Sequence, residues 1–174
     1  MSSGGSGGIA LGQRLAKLSD RFYDRIRDPA AQTAASGEAQ AQDFSALIGA
    51  KYCLLVSYRR SGAAVPTPVW FGLDPGGRLF VRTEAAAAKV KRIRANPTVL
   101  VGPAGVRGKP TGPLARGTAR VLPAAEESRA EAALRANYGL GRRFYEGISG
   151  TLGVDAVYIE VAPAGPAEEG VQGA

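Results

Sequence analysis

The sequence predicts a mainly β domain: a small antiparallel barrel with helices flanking it. Three observations predict this. Six short segments rich in Val, Leu, Ile, Tyr and Phe lie between residues 52 and 161, bounded by Gly, Pro, Asn or Asp. The helical stretches are few and do not form the βαβ repeat of a doubly wound sheet. No G-x-G-x-x-G motif follows the first strand.

The elements follow in chain order. Residues 1–9 open with Met1-Ser-Ser-Gly-Gly-Ser-Gly-Gly8, a flexible tail. In residues 10–27, Leu11, Leu15, Leu18, Phe22 and Ile26 recur at three- and four-residue steps and form one apolar stripe. Arg14, Lys17, Arg21, Arg25 and Arg27 give the other faces a positive bias, and Asp28-Pro29 closes this helix. Residues 30–42 are weakly patterned, a linker or weak helix. Residues 44–49 read as a short helix or turn that Asp43 can cap.

The barrel strands begin at residues 52–58, where Tyr52-Cys-Leu-Leu-Val56 is short and apolar. The turn Arg59-Arg60-Ser61-Gly62 leads to a partner strand at 65–72. Pro66 and Pro68 stand at alternate positions there, so one edge of this strand needs no ladder bond. Asp74-Pro-Gly-Gly77 is a turn before the strand at 78–83. Residues 84–95 are Ala-rich and helical, with Val90 and Ile93 inward and the cations largely outward. Asn96-Pro97 ends this helix. Strands follow at 98–102 and 114–122, across a Gly/Pro loop. Ala115, Gly117 and Ala119 are small along one side of the second, which marks a close approach by a ligand or neighbouring backbone. Helices at 123–137 and 142–148 precede the last strand at 154–161. Residues 163–174 are a tail. The chain thus divides into residues 1–9, an N-terminal helix and linker at 10–42, one domain at 43–162, and the tail.

Composition removes several chemistries. The 174 residues include no histidine, which excludes His-based triads, His general bases and His-ligated metals. Cys53 is the single cysteine, and its place in an apolar strand reads as a buried hydrophobe. An enzyme built this way takes its reactive group from a cofactor. No apolar run reaches the roughly 18 residues of a membrane span, and no secretory signal opens the chain, so a cytoplasmic location is expected.

The net charge of +7 suits an anionic ligand. Lys89, Lys91, Arg92 and Arg94 form its densest cluster. Lys89 and Arg92 share one helix face, and Lys91 and Arg94 another. With Thr83 and Arg82 at the preceding strand end, they make a candidate phosphate clamp. Thr67, between its two prolines, offers backbone to the edge of a heterocycle. Trp70 reads as a half-buried aromatic. Nucleic-acid binding is disfavoured, because the cations lack interleaved exposed aromatics.

Several motifs in this order resemble a known family. They are Tyr58-Arg-Arg-Ser-Gly62, Val65-Pro-Thr-Pro-Val-Trp-Phe71, Leu79-Phe-Val-Arg-Thr83, Lys89-Val-Lys-Arg-Ile93, Lys109-Pro-Thr-Gly-Pro113 and Arg116-Gly-Thr-Ala119. Over residues 44–161 the chain resembles the pyridoxamine 5′-phosphate oxidase-like split-barrel flavoproteins, most of all the branch using the deazaflavin coenzyme F420. The resemblance implies a six-stranded antiparallel split barrel that dimerises with cofactor sites at the interface. It implies Thr67, Pro68, Val69 and Trp70 on the ring side, Arg82 and Thr83 on a second contact strand, and Lys89 on the phosphate with Lys91 and Arg92 beside it. True pyridoxamine-phosphate oxidases carry an Arg-Lys pair where this chain has Ala88-Lys89, and substrate-binding His and Arg near the C-terminus where this chain has no His. Pyridoxine chemistry is therefore not expected. The implied activity is an F420-dependent oxidoreductase passing a hydride to an unsaturated organic substrate; Arg59, Arg60, Tyr138 and Tyr145 are candidates, by proximity alone, to border that substrate. The alternatives are an FMN-dependent oxidoreductase and a non-catalytic binder of F420, FMN or a haem-like ligand.

Overall fold

The computed structural model describes residues 28–138 and 155–165. The helices read at 10–27 and 142–148 lie outside the described residues, as do residues 1–9 and 166–174.

Asp28 and Pro29, read in the sequence as the end of a helix, open one. Asp28 Oδ1 accepts from the Ala30 N–H at 2.9 Å and caps α1, Pro29–Ala35, with Pro29 in the first turn. Asp43 plays the expected capping part at the 3₁₀ turn Ser45–Leu47: its Oδ1 accepts from the Ser45 N–H at 2.9 Å and hydroxyl at 2.6 Å. The strands are β1 (Tyr52–Tyr58), β2 (Ala64–Val69), β3 (Gly72–Leu73), β4 (Leu79–Glu84), β5 (Thr98–Ala104), β6 (Ala115–Val121) and β7 (Ala156–Pro163). Helix α2 (Ala88–Ala95) joins β4 to β5, and α3 (Glu127–Tyr138) follows β6 after a 3₁₀ turn at Ala124–Glu126.

All pairings between these strands are antiparallel, in the order β2-β1-β5-β6-β7-β4-β3. Among the described residues seven strands stand where the sequence suggests six, and the reason is physical. The segment read as one strand at 65–72 breaks at Trp70 and Phe71. Its first half pairs with β1 and its second half with β4, the two opposite ends of the sheet. One continuous stretch of chain therefore serves both edges and closes the sheet into a half-open barrel.

Alternation sorts the side chains. Cys53, Leu55, Val69, Leu79, Val81, Val99, Val101, Ile159 and Val161 fill the barrel with Val90 and Ile93 of α2. Leu54, Val56 and Leu100 face outward beneath α1. Phe80 and Tyr158 face outward beneath α3, against Ala130, Ala133 and Leu134. The small residues of β6 mark contact with the protein itself. A Cβ on Gly117 would come within 2.6 Å of Val161 Cγ1 and 3.0 Å of Phe44 Cζ. At Gly72 a Cβ would strike the α3 backbone at Ala133 and Leu134, so only glycine lets α3 lie this close to β3.

One buried carboxylate ties α3 to the sheet. Glu160, 1% exposed, accepts from Arg78 at 3.3 Å, from Arg120 Nε at 2.5 Å and lies 3.3 Å from Arg129 of α3. Arg129 also pairs with Asp74 at 3.0 Å, and Arg120 with Glu126 at 2.5 Å. Partial burial works against ionisation of Asp74. The Arg78 N–H and the Arg129 guanidinium outweigh it and hold that carboxyl below its ordinary range. The arginines are near half exposed, so water can take over part of their solvation. Glu160→Gln is therefore expected to cost about 1–3 kcal/mol, below the 3–5 kcal/mol of a wholly buried pair. Urea denaturation checks this, and an unchanged midpoint would remove Glu160 from the anchoring of α3.

Candidate functional site: a cation clamp at one end of the barrel

Helix α2 starts four residues later than its sequence pattern suggests, because Glu84 completes β4 and residues 85–87 form a turn. Val90 and Ile93, three apart, are buried. Lys89 and Arg92 each precede one of them, so both are drawn half-buried toward the sheet with their stems along its surface. Of the cations expected to lie largely outward, Lys91 and Arg94 are exposed.

Two strand ends receive the two inward cations. Lys89 Nζ donates to Thr83 Oγ1 of β4 at 3.1 Å. Arg92 Nε donates to Ser57 Oγ of β1 at 2.8 Å. Ser57 is 1% exposed. A buried hydroxyl is well suited to fixing a guanidinium in one orientation. Sequence reasoning paired Lys89 with Thr83 but missed Ser57. The signal was present: Ser57 continues the inward row of Cys53 and Leu55 and is its polar member.

The remaining candidates divide by face. Thr67 and Val69 stand opposite Leu55 and Cys53, on the inward side with Ser57. Val69 is packed into the core. Pro68 and Trp70 have the opposite parity. Arg82 pairs with Tyr158 on the outer face, so it is not beside Thr83 in the clamp. Lys91 lies on the solvent side of α2.

The backbone of β2 requires a correction. Pro66 and Pro68 face Val56 and Leu54 across the ladder. A proline has no N–H, so these are the pairs without ladder bonds, and Val65, Thr67 and Val69 exchange bonds with β1. The Thr67 backbone is thereby committed to the sheet. The carbonyls of Ala64, Pro66 and Pro68 point away from β1 instead, and the Ala64 oxygen accepts from Gln32 Nε2 at 3.3 Å on that side. At Pro66 and Pro68 the outer edge of β2 offers acceptors and no donor.

No family model matches the sequence, and no curated protein matches it. Solved structures do match. HutZ, the heme storage protein from Vibrio cholerae, is 17% identical with a TM-score of 0.50, over 68% of this chain and 85% of HutZ. Atu2129, a protein of unknown function from Agrobacterium tumefaciens strain C58, is 17% identical with a TM-score of 0.51. That match covers 67% of this chain but 49% of the Agrobacterium protein, so the chain spans about half its length. The conserved hypothetical protein Rv2991 from Mycobacterium tuberculosis is 12% identical with a TM-score of 0.51, over 74% of this chain and 86% of that one. Identities this low carry the fold alone. The chain shares their fold, an antiparallel split barrel.

In this split barrel the end opposite the clamp holds an aromatic cluster. Trp70 stacks on Tyr138 with centroids 4.5 Å apart and meets Tyr52 edge-on at 5.9 Å. The Tyr138 hydroxyl accepts from the Phe71 N–H at 3.0 Å and donates to the Lys51 carbonyl, while Asn137 Nδ2 donates to the Phe71 carbonyl at 2.9 Å. Burial pushes the Tyr138 phenol up to about 12, so it acts as a neutral donor. Tyr138 is thus a fastening of the strand break; Tyr145 lies outside the described residues. Burial likewise pushes the Cys53 thiol up to about 12, which leaves it without nucleophilic character. An open, mainly apolar hollow of about 530 Å³ lies between α2 and β6, lined by Ile93, Pro97 and Leu122 among others. It contains none of Ser57, Thr83, Lys89 or Arg92.

Tyr138→Phe keeps the ring stacked on Trp70 and leaves the Phe71 N–H unpaired. A loss of about 1–2 kcal/mol is expected. Denaturation followed by the emission of Trp70, the single tryptophan, measures it. A neutral result would show that the strand break does not need this bond.

Proposed function

We propose that the protein is a cofactor-dependent oxidoreductase that binds the deazaflavin coenzyme F420, with its phosphate at Lys89 and Arg92. The observation that carries this reading is the convergence of both cations on hydroxyls at two strand ends, Thr83 at 3.1 Å and Ser57 at 2.8 Å. That arrangement suits a phosphate: two cations one helical turn apart, each set on a strand-end hydroxyl, and accessible because Lys89, Arg92 and Thr83 are only half-buried. Arg59 and Arg60 are exposed on the β1–β2 turn, at the same end of β1 as Ser57, and Lys91 and Arg94 add charge beyond one phosphate's need. This surplus favours the polyanionic F420 over FMN.

When bound, such a coenzyme supplies the hydride, so no side chain has to act as nucleophile. The chain's own residues bind and orient. Lys89 and Arg92 hold the anionic part. The acceptor edge at Pro66 and Pro68 suits the N–H groups of a heterocycle lying along β2. From Val65, opposite Ser57, to Trp70 is five residues, or roughly 16 Å of strand, a length that suits an extended coenzyme. Haem is a poorer fit, since the chain has no histidine and its one cysteine is buried.

Titration of the purified protein with F420 and with FMN, followed by Trp70 emission, tests the proposal. Tight F420 binding and weak FMN binding are expected. Lys89→Ala and Arg92→Ala should each raise the F420 dissociation constant roughly ten- to a hundredfold, as loss of a charge-assisted hydrogen bond does. FMN preference would move the protein to flavin chemistry, and binding of neither would end the reading. The reading also places the cofactor between two copies of the chain. Light scattering should then give the mass of a dimer, and a monomer at all concentrations would overturn that placement.

A further inference from the structure

Two polar side chains are fully buried among the described residues, Glu160 and Ser57, each 1% exposed. Glu160 is accounted for, since it ties α3 to the sheet through Arg129. Ser57 needs a reason of its own. It continues the inward row of Cys53 and Leu55, both 0% exposed, and alanine would fill that place with no polar atom to satisfy. Among the described residues its hydroxyl is partnered by Arg92 Nε at 2.8 Å. The buried hydroxyl is thus satisfied by one cation of the clamp.

Seating α2 does not require this bond, because Val90 and Ile93 already hold that helix in the barrel core. A carboxylate would also hold a guanidinium more strongly, but it offsets the charge, as Glu160 does beside Arg120. A hydroxyl holds the group and offsets nothing. The choice of arginine matters as well. Nε and the two Nη groups are separate donors, so a guanidinium can be held through the first and still contact an anion through the others. A lysine ammonium has one nitrogen for both tasks. Ser57 is itself fixed, since β1 lies between β2 and β5 and Ser57 stands opposite Val65. At 1% exposure it is closed to a ligand, whereas Arg92 is half-buried above it.

We propose that Ser57 is a positioning residue: by holding Arg92 Nε it sets the plane in which the guanidinium meets an anion. This rests on the reading of Lys89 and Arg92 as an anion site. The clamp is then asymmetric. Arg92 is its rigid half, set on a buried hydroxyl. Lys89 is its adaptable half, with three rotating donors on the half-buried Thr83. Affinity therefore depends on the geometry at residue 92 as well as on its charge. Arg92→Lys keeps the charge and loses the held plane, and it should weaken anion binding about five- to tenfold.

The test is a double-mutant cycle on Ser57 and Arg92 in the full chain, with inorganic phosphate and F420 as separate probes. Phosphate binding is followed by the Arg92 Nε–H resonance, and F420 binding by Trp70 emission. That resonance should exchange slowly with water in the unaltered protein and rapidly in Ser57→Ala. Ser57→Ala should raise the dissociation constant of each probe about five- to tenfold, and by less than about twofold where residue 92 is already alanine. Alanine is smaller than serine, so the variant meets no clash in the barrel. Should it nevertheless fail to fold, Arg92→Lys decides alone, since that position is half-buried: an affinity equal to that of the unaltered protein overturns the proposal. Ser57→Ala with unchanged affinity, or with an equal loss whether or not Arg92 is present, also overturns it and leaves the F420 reading standing. Coupling seen with phosphate, without any binding of F420, upholds the positioning role and ends the F420 reading. Binding of neither probe ends both.

Discussion

A strand that serves two edges of one sheet has to break, and the rest of this structure depends on how that break is made. At Trp70 and Phe71 the chain leaves β1 and passes to β4. The ladder cannot satisfy the Phe71 backbone there, and an unpaired buried amide would cost as much as the bonds around it supply. Helix α3 resolves this from outside: Tyr138 takes the N–H and Asn137 serves the carbonyl. For these side chains to reach, α3 must lie almost on β3, which Gly72 allows. Its far end must also be held, which Arg129 does through Glu160 and Asp74. The break, the glycine, the helix and the buried carboxylate form one connected device.

The same period-two constraint decides which residues can act together. Thr83 and Arg82 are neighbours in sequence and lie on opposite faces of β4, so one strand can give only one of them to the clamp. Ser57 and Thr67 lie on adjacent strands with inward parity, although ten residues separate them. A site that looks contiguous along the chain is thus divided by the pleat, and a site assembled across strands is hidden until the register is known. The proline pair shows this most directly. Alternate prolines announce an unpaired edge, but only pairing with β1 decides that carbonyls, and not the Thr67 amide, face outward.

Much of the fold was legible for this reason. The strands are short, apolar and punctuated by Asn96-Pro97, Asp74-Pro75 and the Gly62 and Gly77 turns, and all were placed within a few residues. Lys89 and Thr83 were legible as partners, since a strand end six residues before an early helical lysine leaves little freedom. The division of 65–72 was not legible, because no local residue signals that a strand changes partners. Glu160 escaped notice because a single charge in an apolar strand gains meaning only when Arg78, Arg120 and Arg129 arrive from three other elements. Helix α1 was obscured by Asp28-Pro29, a pair that terminates one helix as well as it begins another.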